Sequence, residues 1–242
     1  VNRLLPLISV VLVAALWLLY PPRVEAVRVL RVVPQPIELL VPDVQGAVKQ
    51  AIVLPAVMYA DIGVGEASYR HRRAITSAAI HAFGRTSAPV ALLAAQIRAE
   101  SAYRDVTSSA GAQGPAQFMP ATAKAMAAQY PELRPANPRD FRWSFLAQAL
   151  HMRDLTRLYS AAATRCDQFA LALSAYHGGP TALDRERALA NDPSVWFGEV
   201  EKQRSRTLRN HALDRQYVRR ILLQLEPAYA HAGWHGGLQC RA

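Results

Sequence analysis

At 242 residues the chain suits one domain with a leader, or at most two small domains. Its 51% hydrophobic and 19% charged residues supply enough apolar material for a packed core and exclude a disordered composition. Lysine and arginine outnumber aspartate and glutamate 28 to 18. That excess points to anionic partners, but no nucleic-acid motif accompanies it, so no nucleic acid is expected and an anionic cell wall or membrane surface is.

The run Leu4 to Tyr20 carries no charge and is bracketed by Arg3 and Arg23. It is a little long for a signal core and a little short for a membrane span. Val24-Glu25-Ala26 offers a cleavage site, so residues 1–26 read as a signal peptide or a membrane anchor. Either way the chain is exported, with the periplasm as its expected compartment and residues 4–20 as the candidate anchor. Residues 27–65 are rich in Val, Leu and Ile but broken by Pro34, Pro36, Pro42 and Pro55. They read as a stalk or extended linker that leads into a short helix.

From residue 66 to 242 the pattern is helical. Ile75, Ala78, Ala79, Ala82 and Phe83 mark an amphipathic helix that closes at Gly84. Further apolar faces follow at Phe145, Ala149, Met152, Leu155 and Tyr159, at Phe169, Ala172, Leu173 and Tyr176, and at Tyr217, Ile221, Leu225 and Tyr229. No sustained alternation calls for a sheet. The expected class is all-α, as a monomer.

Between the first two of these faces lies the stretch with chemistry in it. Val90, Leu93 and Ile97 form a helical apolar stripe, and Glu100 continues it, with Gln96 one turn earlier and within reach. A carboxyl on an apolar face is poorly solvated when charged, which raises its pKa toward that of a neutral-pH general acid. The competing reading is the last polar residue of a solvated helix end. After it come Ser108, Ser109, Gly111 and Gly114, a turn-prone loop that lets backbone approach a ligand, then Pro120, suited to a first helical turn.

Other chemistry is weakly signalled. His231, His235 and Cys240 lack the glutamate of a zinc-protease motif, so no metal site is expected, and no cofactor. Cys166 and His177 as a nucleophilic pair are disfavoured in an oxidising compartment. There the two cysteines, Cys166 and Cys240, most economically form one disulfide.

Glu100-Ser101, the run Ser109 to Gly114, the run Gln117 to Ala123 and Ala175-Tyr176-His177-Gly178-Gly179 together resemble the catalytic motifs of lytic transglycosylases of the soluble, lysozyme-like (SLT) type. The resemblance covers roughly residues 66 to 200, and the tail looks like that of small exported or phage-encoded members. It implies a goose-type helical domain with a C-terminal extension, acting on peptidoglycan glycan strands. It assigns Glu100 as the single acid and then base. It also assigns Ser101, Ser109, Gly111, Gln113, Gln117, Met119, Tyr176 and His177 to the substrate, with Tyr176 packed on Glu100 and hydrogen-bonded to it. Two positions depart from the pattern: Pro115-Ala116 stand where Leu-Met is usual, and His177 stands where Asn is usual. Two rival readings are a goose-type muramidase, with Asp105 positioning water, and a non-catalytic envelope-binding or lysis module.

Overall fold

In the segment that carries Glu100, every residue from Val90 to Ile97 is buried. A helix apolar on all sides has to run through the middle of a domain. It does so as α2 (Val90–Ser101), and only its last turn, at Arg98, Ala99 and Glu100, reaches partial exposure. The computed structural model describes residues 63–241 and, upstream, the backbone of Glu38–Pro42 and Val48–Val53. The uncharged run Leu4–Tyr20 and the candidate cleavage site lie outside the described residues. Among the described residues no helix is long and apolar enough to cross a membrane.

The chain divides into two units, Val1–Val57 and Met58–Ala242. In the first, β1 (Glu38–Pro42) pairs antiparallel with β2 (Val48–Val53), and the register shifts between Val41 and Pro42. A proline has no N–H to give to the ladder, so the regular pairing fails there. This hairpin stands where the sequence suggested extended chain leading into a short helix.

The second unit is all-α. Its helices are α1 (Glu66–Phe83), α2, α3 (Pro120–Gln129), α4 (Phe141–Leu158), α5 (Arg165–Gly178), α6 (Pro180–Arg187), α7 (Leu208–Arg220) and α8 (Glu226–His231). Around α2 pack α1, α8 and the turn before α8, while α4, α5 and α7 pack in succession. Gly84 ends α1 at φ 80°. Asp140 caps α4 by accepting from the Trp143 N–H, and Thr164 caps α5 by accepting from that of Asp167.

Between α7 and α8 the helix widens into one π turn, Ile221–Leu225. Pro227 explains it, because its ring crowds the carbonyl of Leu223 and gives that carbonyl no N–H. The tail then doubles back over the start of α2. Trp234 is buried edge-on against Tyr229, and the His235 carbonyl accepts from the Ala91 N–H at 2.9 Å. Cys240 is disulfide-bonded to Cys166 at the start of α5, 74 residues away in sequence. Closing a loop of that length in the unfolded chain stabilises the fold by about 4–5 kcal/mol at most.

Candidate active site

Glu100 sits where the buried helix emerges, and the chain turns sharply after it. Ala102 and Tyr103 take positive φ in succession, 53° and 63°. Such left-handed backbone costs on the order of 1–2 kcal/mol per non-glycine residue. Buried anchors offset it: the Tyr103 hydroxyl donates to the Ala94 carbonyl at 2.8 Å and meets the Tyr229 hydroxyl at 2.7 Å. The reversal sends the next segment back across the end of α2.

That segment is a tight double turn tied by two isolated bridges, Thr107 with Gln113 and Gln113 with Phe118. Gly111 turns it at φ 89°. Gly114, at φ 76°, lies so close to the next element that a Cβ would stand 1.6 Å from the Pro138 carbonyl oxygen, so no other residue fits.

The residues assigned to substrate by resemblance divide here. Ser101 is buried, and its hydroxyl donates to the Pro115 carbonyl at 2.8 Å, holding the loop to the helix. Gln117 turns its amide inward onto the carbonyls of Val106 and Gly114, at 3.0 and 2.8 Å. Both groups thus hold the loop, Ser101 by its hydroxyl and Gln117 by its amide nitrogen. Gln113 pairs its backbone with Phe118, and Ser109 is exposed at the turn. Met119 is 44% exposed and is the apolar side chain that the loop offers to solvent.

Tyr176 corrects the assignment made for it. Its hydroxyl donates to the Ala116 carbonyl at 2.7 Å and not to Glu100, and its ring packs edge-on against Phe118. It fixes the loop against α5 while staying within range of the Glu100 charge, which, after burial, helps hold the phenol far above its usual pKa.

The donor to Glu100 is Tyr217 of α7, whose hydroxyl lies 2.5 Å from Oε1. Gln96 likewise bonds Tyr217, at 3.2 Å, and not the glutamate one turn later. Gln148 of α4 in turn donates to Gln96 Oε1 at 2.8 Å and to the Leu93 carbonyl at 3.1 Å. The sequence reading placed Tyr217 only on an apolar helix face and left Gln148 unremarked. The available signal was Asp214, a carboxylate three residues before Tyr217 and so on the same face of α7.

His177 stacks on Tyr217, ring centres 4.5 Å apart, and its Nδ1 is 3.2 Å from Asp214 Oδ1. Asp214 is fully buried and also accepts from Ser174 at 2.7 Å and from Arg215 at 2.6 Å. Arg206 and Arg215 share Glu186, likewise fully buried, at 2.9 and 2.8 Å. Two carboxylates and two guanidiniums thus neutralise one another beneath the histidine, the condition for burying charge at all. Burial alone would raise the Asp214 carboxyl. The bonds from His177 and Ser174 and the charges of Arg206 and Arg215 outweigh it and leave the group below the usual carboxylate range.

At Glu100 the balance goes the other way. Burial raises the carboxyl to about 7, against the opposing pull of the Tyr217 bond and the charge of His177. Tyr217, pushed far above its usual pKa by burial and by Glu100, keeps its proton and remains a donor. The site therefore holds one carboxyl that can be acid or base near neutrality. Asp105, the other acid nearby in sequence, is held by Arg139 at 3.2 Å on the outer side of the loop, both partly exposed.

An open cleft of about 360 Å³, bordered by Glu132, Arg134, Asn137, Arg142 and Trp143, contains none of these residues. No curated protein matches the chain. The Transglycosylase SLT domain family matches residues 77–196, a span that includes Glu100, the double turn and Tyr176-His177. Residues 77–196 are thus a transglycosylase SLT domain of the soluble lytic transglycosylase type, and at the level of that family the match supports activity on peptidoglycan.

Proposed function

We propose that the protein cleaves the β-1,4 bond between N-acetylmuramic acid and N-acetylglucosamine in peptidoglycan and leaves 1,6-anhydro-muramoyl ends. The observation that carries this reading is the Glu100 carboxyl, half-buried, hydrogen-bonded on one oxygen and poised at about 7. Protonated Glu100 gives its proton to the glycosidic oxygen as the bond to the muramoyl C1 breaks. The resulting carboxylate takes the proton of the C6 hydroxyl as O6 closes on C1. One group performs both transfers, no water is consumed, and a nucleophile tethered to the substrate gains from proximity. The two-carboxylate arrangement of most glycosidases is then unnecessary.

The engagement of Asp105 with Arg139 favours this over the hydrolytic reading, in which that acid would position water. The disulfide suits an oxidising compartment, and an exported, periplasmic site of action is part of the proposal. Digestion of purified sacculi followed by mass analysis tests it. Anhydro ends, lighter by one water than reducing ends, are the expected product. Reducing ends would establish a muramidase, and intact sacculi a binding module.

A further inference from the structure

We propose that Gln148 is a positioning residue for Glu100: through Gln96 and Tyr217 it sets the direction of a hydrogen-bond chain, so that Oε1 only accepts and the transferable proton resides on Oε2. The inference rests on the reading of Glu100 as the acid.

The direction follows from the closed end of the chain. The Leu93 carbonyl can only accept, and it faces Gln148 at 3.1 Å. Gln148 must therefore present its amide nitrogen, which also donates to Gln96 Oε1 at 2.8 Å. With its oxygen occupied, Gln96 turns its nitrogen to the Tyr217 oxygen at 3.2 Å. Tyr217 has one hydrogen, and Glu100 Oε1 at 2.5 Å receives it. Flipping Gln148 would set two carbonyl oxygens against each other, so the chain does not run the other way.

A proton on Oε1 would collide with the phenolic hydrogen, which leaves Oε2 to carry it. Of the other groups that face this carboxyl, His177 of α5 acts on it by charge and Tyr176 gives its hydrogen to the Ala116 carbonyl, so neither occupies an oxygen of it with a bond. Gln96 and Gln148 are both buried, and Gln148 leaves its own Oε1 without a partner among the described residues. A buried oxygen left unpaired destabilises a fold.

The test compares three variants on purified sacculi, with circular dichroism and thermal melts as folding controls. Gln148→Met frees the Gln96 amide to rotate and capture the Tyr217 hydrogen. It should lower kcat roughly tenfold with KM unchanged and move the alkaline limb of the rate profile upward, because the carboxylate has lost its donor. Gln96→Met, though nearer the site, removes the amide that would compete for the Tyr217 hydrogen, so it should impair the enzyme less than Gln148→Met and leave the alkaline limb in place. Adding Gln96→Met to Gln148→Met should restore both rate and limb. A purely structural role predicts the double variant to be at least as impaired as either single one, and that result overturns the proposal. So does a Gln148→Met enzyme with wild-type rate and pH limb. If the double variant fails to fold, the two single variants still decide, since a Gln96→Met enzyme more impaired than Gln148→Met refutes the directionality. A Glu100→Gln control separates the two levels: turnover there would end the reading of Glu100 itself, whereas an inactive control with an unaffected Gln148→Met enzyme ends only this inference.

Discussion

Replacing Tyr217 by phenylalanine removes one hydroxyl and with it the 2.5 Å bond to Glu100 and the acceptor used by Gln96. The ring stays, so the stack with His177 is kept. A hydrogen bond to a charged group is worth about 1.5–3 kcal/mol. At 1.36 kcal/mol per unit this raises the Glu100 carboxyl by roughly 1–2 units above its starting point near 7. The sign is upward because Tyr217 donates to the charged form, which loses more than the neutral form does. Wild-type cleavage should fall as pH rises through about 7, where the acid deprotonates; in Tyr217→Phe that fall should move to roughly pH 8–9. Below pH 6, where both enzymes carry the proton, the variant should be slower by roughly 3–10-fold, since a weaker acid transfers its proton less readily. Initial rates of soluble-fragment release from sacculi between pH 4.5 and 9.5, with a melt at each pH, supply the measurement. An alkaline limb at the same pH in both enzymes would refute the assignment of Tyr217 as the group that tunes Glu100.

Glu100→Gln should abolish cleavage, because glutamine keeps the shape and has no proton to transfer; it should also stabilise the fold. A carboxyl raised from 4.5 to about 7 penalises the native state by up to about 3 kcal/mol once deprotonated. Stability contributed by this group is present below pH 4.5 and lost as pH rises through 7, so the Tm advantage of the variant should grow over that interval; a constant difference would contradict it. Asp105→Asn removes an exposed ion pair and should leave kcat within about twofold, with less than about 1 kcal/mol of stability lost. A collapse in rate with normal circular dichroism would instead point to a water-using hydrolase. Gly114→Ala combines a left-handed backbone with a Cβ 1.6 Å from the Pro138 oxygen and should cost roughly 3–5 kcal/mol, seen as a large loss of Tm in denaturation curves.

Glu100 was legible because two independent signals coincide on it: an apolar helical stripe that continues into a carboxylate, and a glycine-bearing turn directly after. Its environment was not. The partner lies 117 residues away on α7, where apolar spacing dominates and the one polar cue, Asp214 on the same face, does not say which hydroxyl turns to the acid. Tyr176 illustrates the same limit from the other side, since a tyrosine placed correctly beside a site still has one hydrogen and gives it to the Ala116 carbonyl. Ser101 and Gln117 look like ligands by residue type, yet both give side-chain hydrogens to loop carbonyls. The β1–β2 hairpin was readable in part: aliphatic runs of Leu, Val and Ile flank Asp43-Val44-Gln45-Gly46, a turn composition, but the prolines around it suggested a stalk.

Tyr217 lies beyond residue 196, where the family match ends, so the recognisable domain is shorter than the stretch of chain that completes the surroundings of Glu100. Any fragment cut at the recognised boundary keeps Glu100 but loses the donor, the Asp214 beneath His177, and the Cys240 that ties the tail to α5. Synthesis runs from the amino terminus, so the acid is made more than a hundred residues before the group that tunes it. In the unfinished polypeptide Glu100 therefore stands without its hydrogen-bond donor until α7 has been made and has docked.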